Sequence, residues 1–200
     1  FYYLKQKTRT PFISRDKLEK WQNKKVQAFI KKIVKKSTYY NKKYKSYDIK
    51  DWKKLPLINK EEMMNHFNEL NTVHIKKEDA FNTAYKAEQD RDFTPKINNI
   101  TVGLSSGTSG NRGIFLASGK ERYMWAGTVL AKLLPSSILG QHKIAFFLRC
   151  DSNLYQTVQN RHVTFEYFDL LHPIQEHITR LNLFQPTILV APPSLLRLLV

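Results

Sequence analysis

The chain has 200 residues, 42% of them apolar and 12% aromatic, a composition that can bury one substantial core and excludes a disordered chain. No run of about eighteen uncharged apolar residues occurs, and no secretory signal is recognisable at the N-terminus, so we expect a cytoplasmic protein. The single cysteine, Cys150, excludes an intrachain disulfide, and the six histidines fit no zinc-binding spacing.

The formal net charge of +16 is concentrated at the start of the chain. Residues 1–60 contain 19 Lys and Arg against 4 Asp and Glu, whereas residues 61–200 contain 14 against 13. This distribution favours a helical region whose lysines face solvent. A surface for nucleic-acid phosphates or for an anionic membrane stays open as the alternative. We expect no specific nucleic-acid binding, because no RNA-binding signature accompanies the lysines.

Apolar residues in the basic segment recur at helical spacing. They predict a long helix over residues 15–36 and a shorter helix that Ser37 opens. The stripe that we expect to face a core consists of Leu18, Trp21, Val26, Phe29, Ile33, Tyr40 and Tyr44. Near Pro56 the chain is predicted to divide into a basic helical segment, residues 1–56, and an α/β domain, residues 57–200.

Two features are expected between this division and the next glycine-rich stretch. Asn59 followed by Glu62 three residues later has the spacing of a capping box and predicts the start of a helix. Residues 80–100 are polar and are predicted to be irregular, with Pro95 favouring an extended backbone before the β-branched run INNITV.

From residue 118 onward, predicted helices and strands alternate regularly. Ser118 and Glu121 form a second capping-box pattern at the start of the helix SGKERYMWAGTVLAKLL. The segments that follow are the strand HKIAFFLR, the short helix NLYQTVQN, the strand VTFEYFDLL, the helix PIQEHITRLN, the strand PTILVAP and the helix PSLLRLLV. This alternation predicts an α/β fold with a mainly parallel sheet flanked by helices on both faces. Because Val200 falls within an apolar helical run, we expect the chain to be the N-terminal part of a larger fold.

The stretch GLSSGTSGNRG, residues 103–113, combines four hydroxyl side chains with four glycines. Its spacing excludes both a Walker A loop and the dinucleotide-binding fingerprint. Glycines expose backbone N–H groups and permit positive φ, so successive amides can converge on phosphate oxygens. A surface hairpin that happens to be rich in serine and glycine stays open as an interpretation. The predicted phosphate-binding residues are Ser105, Ser106, Gly107, Thr108, Ser109, Gly110 and Arg112.

The same stretch also contains Gly-x-Ser-x-Gly, the nucleophile elbow of α/β hydrolases, with Ser105 as the nucleophile. Asp169 and His177 follow in the chain order which that fold requires. An elbow turns directly from a strand into a helix, whereas two further glycines intervene here before the next predicted helix. We therefore favour phosphate binding and retain the hydrolase as the alternative.

Three segments carry a resemblance to a known family. LSSGTSGNRG resembles the Ser/Thr-Gly-rich signature of the adenylate-forming superfamily, which comprises acyl- and aryl-CoA ligases, luciferases and peptide-synthetase adenylation domains. YYNKKYKSYDIKDWKKLPLINKEEMM resembles the entry segment of the phenylacetate–CoA ligase branch, which includes adenylate-forming proteins encoded near capsule-biosynthesis genes and enzymes that adenylate a deazaflavin coenzyme. FQPTILVAPPSLLRLL is similar to the strand and helix that lead toward the substrate pocket. The resemblance covers residues 14–200.

The resemblance implies an ATP-dependent ligase that converts a carboxylic acid into an acyl-adenylate, releases pyrophosphate and then transfers the acyl group, often to coenzyme A. The implied cofactors are ATP and Mg²⁺, and the implied partners are the carboxylic acid and the C-terminal part of the same polypeptide. That part would carry the adenine-, ribose- and metal-binding residues and a late lysine. No catalytic or metal-binding residue is assigned in this sequence, so we expect the 200 residues alone to be inactive.

The sequence departs from the family after Gly110, where x-Pro-Lys is usual. Arg112 stands in place of the proline and Gly113 in place of the lysine. Because a guanidinium can hold a phosphate with two parallel hydrogen bonds, we expect Arg112 to supply part of the missing positive charge.

Overall fold

The computed structural model of the chain describes residues 1–8, 14–105, 112–149 and 157–199. Its contacts group the chain into two units. The first, which we call the sheet unit, comprises Phe1–Arg9, Thr83–Val102 and Leu116–Val200. The second, which we call the basic unit, comprises Thr10–Asn82 and Gly103–Phe115. The predicted division near Pro56, into a basic helical segment over residues 1–56 and an α/β domain over residues 57–200, stays a prediction.

A three-stranded parallel sheet forms the centre of the sheet unit. Its strands are β4 (His142–Leu148), β5 (Val163–Asp169) and β6 (Ile188–Val190), and they lie in the order β5-β4-β6. In the register, Ile144 of β4 lies between Phe165 of β5 and Ile188 of β6. A central strand has neighbours on both edges and helices on both faces, which explains the nearly continuous apolar sequence of β4. The predicted parallel α/β arrangement is confirmed.

Helices cover both faces of this sheet. Helix α7 (Gly119–Leu133) packs Leu130 against Ile144 on one face. The next residue of the strand, Ala145, points to the opposite face, where it forms a cluster with Phe147 and Phe168. Helices α8 (Ile174–Phe184) and α9 (Pro193–Leu199) cover that cluster.

The first helix, α1 (Tyr2–Lys7), packs closely on α7 at Gly127. A Cβ atom on Gly127 would lie 2.6 Å from the Cβ of Tyr2 and 2.8 Å from the amide nitrogen of Tyr3. Only glycine permits such a close approach of two helices. The Tyr3 hydroxyl also accepts a hydrogen bond of 3.2 Å from the Ile138 N–H. The N-terminal residues are thereby fixed to the sheet unit.

The prediction that residues 80–100 are irregular is wrong, because they contain most of a helix and a hairpin. Helix α6 (Lys77–Asp90) buries Ala80, Ala84 and Ala87, which recur at helical spacing. Alanine has the highest helix propensity and so supports this helix despite its polar sequence.

The hairpin joins β1 (Lys96–Ile97) to β2 (Ile100–Leu104) in antiparallel pairing. Asn98 and Asn99 form the two-residue turn, and both have positive φ. This conformation matches the twist of a tight hairpin, and asparagine tolerates it better than most residues. Strand β3 (Ile114–Ala117) lies beside β2 in the same sheet.

The basic unit contains one long helix and several short helices. Their bounds are α2 (Arg15–Lys36), α3 (Thr38–Lys43), a 3-10 helix (Ile49–Lys54), α4 (Lys60–Asn65) and α5 (Phe67–Leu70). The predicted bounds of α2 are confirmed. Ser37 opens α3 as predicted, because its Oγ accepts a hydrogen bond of 3.2 Å from the Tyr40 N–H. No helix in the described part of the chain is long and apolar enough to cross a membrane.

The predicted apolar stripe of α2 is wrong at two positions. Trp21 is 37% exposed and Phe29 is 61% exposed, whereas Ile30 is buried. The packed side of α2 instead includes Asn23, whose Oδ1 accepts a hydrogen bond of 3.1 Å from the Trp52 indole. The packed side of α2 is therefore displaced from the predicted stripe toward Ile30 and Asn23.

Helix α4 starts at the predicted cap but lacks the predicted reciprocal bond. The Asn59 Oδ1 accepts a hydrogen bond of 2.8 Å from the Glu62 N–H. The Glu62 carboxylate turns toward α3 instead, where it bonds Lys43 and the Tyr39 hydroxyl. The hydrogen bond from Lys43 lowers the pKa of Glu62, and the bond from Tyr39 lowers it further. Glu62 thus joins α3 to α4. Half of the short helix predicted over residues 153–160 lies outside the described residues, and the described half, residues 157–160, contains a turn instead of a helix.

Candidate anion-binding site

The two ends of the glycine-rich stretch are joined by hydrogen bonds in the basic unit. The Ser105 N–H donates to the Gly113 carbonyl at 2.8 Å, and the Gly113 N–H donates to the Ser105 Oγ at 2.8 Å. The Arg112 Nε donates to the Ser105 carbonyl at 3.0 Å. We call these three residues the loop stem. They hold the ends of the stretch next to each other.

Two of the predicted phosphate-binding residues, Ser105 and Arg112, lie in this stem. The other five, which are Ser106, Gly107, Thr108, Ser109 and Gly110, lie outside the described residues. Ser105 uses its hydroxyl to organise the stem, because the Gly113 N–H donates to it. The role of Arg112 is different, since this residue also lines a surface depression beside the stem.

Lys60 crosses the loop stem from the start of α4. A Cβ atom on Gly113 would lie 3.0 Å from the Lys60 Cε and 3.6 Å from the Ser105 Oγ. The buried glycine therefore leaves the space through which the aliphatic chain of Lys60 passes. A larger residue at position 113 would displace this lysine.

An open depression of about 450 Å³ lies beside the stem. Three of its lining residues are half-buried cations, namely Lys60, Lys77 and Arg112. The lining includes one carboxylate, Glu61, which is exposed to solvent. The lining therefore carries more positive than negative side-chain charge, and because partly buried charges are screened less than exposed ones, the depression should attract anions. The remaining lining residues are Met64, Asn65 and Phe81.

Local helix geometry positions the two lysines of the depression. Lys60 is the first residue of α4 and follows the cap residue Asn59. Lys77 is the first residue of α6, and its backbone N–H donates to the Asn68 side chain at 2.6 Å. The apolar floor is joined to the stem, since the Ile114 N–H contacts the Met64 sulfur at 3.5 Å.

Sequence reasoning did not identify Lys60 or Lys77 as site residues. Each lysine lies at a helix start near other lysines, with Lys53 and Lys54 before Lys60 and Lys76 before Lys77, so composition gives neither a distinct signal. The segment that resembles a family entry region contains Lys60, and this is the one indication available from the sequence. Tertiary packing brings both lysines to the same depression as Arg112.

The residues of the hydrolase alternative make structural contacts. The Asp169 carboxylate forms an ion pair with Arg91. His177 is 1% exposed, and its ring contacts Phe147 edge-on at a centroid distance of 5.1 Å. A general base needs access to the proton that it removes, and a histidine buried among aromatic rings lacks such access. The hydroxyl of Ser105, in turn, is an acceptor within the loop stem.

No protein-family model matches the chain, and no curated protein matches it. Within residues 1–8, 14–105, 112–149 and 157–199, no three His, Cys, Asp or Glu side chains form a group that could hold a metal ion. Function is therefore inferred from the loop motif and from the charge and geometry of the depression.

Proposed function

We propose that the chain is the N-terminal part of an ATP-dependent adenylate-forming ligase, and that the depression beside the loop stem receives the outer phosphates of ATP. The observation that carries the proposal is the meeting of Lys60, Lys77 and Arg112 beside the glycine-rich stretch. The resemblance of that stretch to the family signature supplies the reaction. The carboxylic acid substrate and the acceptor of the acyl group belong to the same proposal.

The charges of the depression fit a polyphosphate. Three cations and one carboxylate line it, so its side chains carry a net charge of +2 when all four are ionised. A triphosphate carries several negative charges close together, and half-buried cations neutralise such charges more strongly than exposed ones. Glycine amides of the adjoining stretch would add hydrogen-bond donors without adding charge.

Lys60 offers a substitute for the lysine that the family usually has at position 113. Its aliphatic chain crosses Gly113, so its ammonium group comes from a different segment but reaches the same part of the loop stem. Lys60 and Arg112 together would supply the positive charge that the departure from the family pattern removes.

These residues act by binding and orientation. Lys60, Lys77 and Arg112 hold the β- and γ-phosphates, which keeps the α-phosphorus accessible to an incoming carboxylate. ATP supplies the adenylyl group and the pyrophosphate leaving group. Neutralising the developing charge on pyrophosphate favours the transition state over the bound substrate. The described residues fit phosphate oxygens, and none of them is assigned as a Mg²⁺ ligand.

Calorimetric titration with pyrophosphate, ATP and AMP tests the proposal. We expect Lys60→Gln and Arg112→Ala each to weaken pyrophosphate and ATP binding about tenfold, the size of one charge-assisted hydrogen bond. AMP binding should change much less, because AMP lacks the outer phosphates. Lys24→Gln is the matched control, since it removes one exposed lysine of the same unit outside the depression.

Two results would overturn the proposal. One is an absence of pyrophosphate binding in the unsubstituted chain, and the other is an equal loss of binding in Lys24→Gln.

Ser105→Ala separates the ligase from the hydrolase alternative. If Ser105 belongs to a ligase, the substitution should weaken phosphate binding by about 0.5–1.5 kcal/mol through the loop stem. If Ser105 is a nucleophile, the substitution should abolish ester hydrolysis. Gly107→Val should impair phosphate binding more than Ser105→Ala, because glycine amides are the predicted donors.

A further inference from the structure

The outward side of α2 is a continuous basic surface. The helix has eight lysines, all of them exposed, and its two acidic residues, Asp16 and Glu19, lie in its first turns. From Lys20 to Lys36 the helix contains seven lysines and no acidic residue. This surface belongs to the basic unit but is formed by residues other than those of the depression.

Two aromatic side chains lie among these lysines. Trp21, Lys25, Ala28 and Lys32 are spaced by four, three and four residues, so they follow one line along the helix. Phe29 follows Ala28 on the adjoining part of the same surface and is 61% exposed. The Lys25 ammonium lies 6.0 Å from the centroid of the Trp21 ring. Exposed aromatic rings between lysines distinguish this surface from a purely solvated lysine face.

The opposite side of α2 is fixed to the rest of the basic unit. Ile30 is buried, and the Gln27 side chain donates to the Lys50 carbonyl at 3.3 Å. The Asn23 side chain accepts a hydrogen bond from Trp52. Because these contacts use the far side of the helix, the lysine and aromatic side can meet a partner without any rearrangement of the fold.

We propose that this side of α2, defined by Trp21, Lys25, Ala28, Phe29 and Lys32, docks on the anionic surface of a lipid bilayer. Lysines near a membrane are attracted to its negatively charged headgroups, and each lysine adds its own contribution to the binding free energy. Tryptophan and phenylalanine side chains prefer the boundary between headgroups and acyl chains, where the apolar ring is buried at the edge of the acyl region. The surface offers both kinds of contact along a single straight helix.

A groove at the C-terminal end of α2 extends the basic surface. It has a volume of about 560 Å³, and its lining includes Lys35, Lys36, Lys42 and His74. None of the described residues that line it is acidic. Lys42 also pairs with Glu69 at 3.3 Å, in a contact that is largely exposed to solvent. The groove provides room for a headgroup phosphate beside the docking surface.

A bilayer explains the surface better than a nucleic acid does. Lysine is a strongly hydrated point charge, suited to attraction by many headgroups, whereas arginine is the usual residue for paired hydrogen bonds to phosphates and bases. The helix has one arginine, Arg15, and it is paired with Glu19 at 2.7 Å. Single-stranded nucleic acids bind in grooves where bases stack on aromatic rings, and the side of a helix is convex.

Sedimentation with lipid vesicles tests this inference. The 200-residue chain should bind vesicles of phosphatidylcholine with 30% phosphatidylserine at least tenfold more tightly than vesicles of phosphatidylcholine alone. The double variant Trp21→Ser/Phe29→Ser and the double variant Lys25→Gln/Lys32→Gln should each lose at least fivefold in affinity. Lys5→Gln/Lys7→Gln is the matched control, because it removes two exposed lysines of α1. Circular dichroism confirms that each variant is folded.

Several outcomes would overturn the inference. They are an absence of preference for the anionic vesicles, a loss in the control as large as that in Lys25→Gln/Lys32→Gln, and unchanged binding in Trp21→Ser/Phe29→Ser. Tighter binding to single-stranded RNA than to the vesicles, with dependence on the same two aromatics, would assign the surface to nucleic acid. Pyrophosphate titration of the same variants keeps the test independent of the ligase proposal, because these residues lie outside the depression.

Discussion

Gly113 and Lys60 are 53 positions apart in the sequence, yet the lysine side chain crosses the glycine. The expectation of a missing lysine at position 113 comes from the resemblance to the adenylate-forming signature, and that resemblance names no residue that could supply the charge instead. Contacts between residues distant in sequence depend on how helices pack, and propensity and spacing carry no direct information about them. Ser105 and Arg112, by contrast, lie close to Gly113 in sequence and were predicted as site residues.

His177 gives a prediction at the residue scale. Burial lowers the pKa of His177, and the nearby Arg180 lowers it further, while Glu176 opposes this effect. In the unfolded chain, histidine has a pKa of about 6.5. Below that value the unfolded chain binds a proton that the folded chain excludes. The free energy of unfolding should therefore decrease as the pH falls from 7 toward 5, and this contribution is fully present only above the unfolded pKa.

Urea unfolding at pH 7.5, 6.5 and 5.5 measures this dependence, with His177→Phe as the comparison. The substitution replaces one buried ring by another between Phe147 and Phe168, and the decrease in stability from pH 6.5 to 5.5 should become smaller. The difference in slope cannot exceed about 1.4 kcal/mol per pH unit for one proton. Equal slopes in the two proteins would show that His177 does not cause the effect. The other ionisable ring nearby is His172, stacked on His177 at a centroid distance of 6.4 Å.

At the scale of elements, the sequence correctly predicted the helices and strands that have local sequence signals. The long helix α2, the cap of α7 and the strands β4, β5 and β6 follow from periodicity, capping residues and apolar runs. The prediction failed for α6, because its buried face consists of alanines that add little hydrophobic contrast to a polar sequence. It failed for the orientation of α2 because the predicted stripe omitted Ile30, which is buried on the same side of the helix as the hydrogen bond between Asn23 and Trp52.

The capping box of α7 gives a prediction at this scale. The Ser118 Oγ accepts a hydrogen bond of 3.3 Å from the Glu121 N–H, and the Glu121 carboxylate accepts one of 2.8 Å from the Ser118 N–H. Ser118→Ala should lower the free energy of unfolding by about 1 kcal/mol, because it leaves a helix N–H without its side-chain acceptor. Ser118→Gly is the closer control, since glycine at this position costs only a few tenths of a kcal/mol.

Urea denaturation followed by circular dichroism distinguishes the two substitutions. A larger loss in Ser118→Gly than in Ser118→Ala would contradict a capping role. Neither change should alter pyrophosphate affinity, because Ser118 and the depression belong to different units of the chain.

At the scale of the whole molecule, the positive charge is divided between two surfaces of the basic unit. The depression is concave and partly buried, with three cations next to a glycine-rich stretch. The side of α2 is exposed and carries lysines at every turn from Lys20 to Lys36 except around Ala28. A concave cationic site selects small polyanions, whereas an exposed basic helix attracts any extended anionic surface. Salt dependence should therefore differ between the two surfaces.

Binding of double-stranded DNA tests this distinction. The exposed lysines of α2 should give weak, sequence-independent binding that falls steeply with salt. Five lysine contacts to phosphates would give a slope of about −4.5 for the logarithm of affinity against the logarithm of salt concentration. Fluorescence anisotropy measures both properties when two duplexes of equal length and different sequence are compared. The titrations cover about 50 to 200 mM salt, roughly the range over which such contacts lose most of their affinity. Lys25→Gln/Lys32→Gln should make the slope shallower by the contribution of about two phosphate contacts. Lys60→Gln should leave the slope nearly unchanged, because Lys60 lies in the depression. Submicromolar binding that distinguishes the two duplexes at about 0.15 M salt would instead identify a specific nucleic-acid interface on the basic unit.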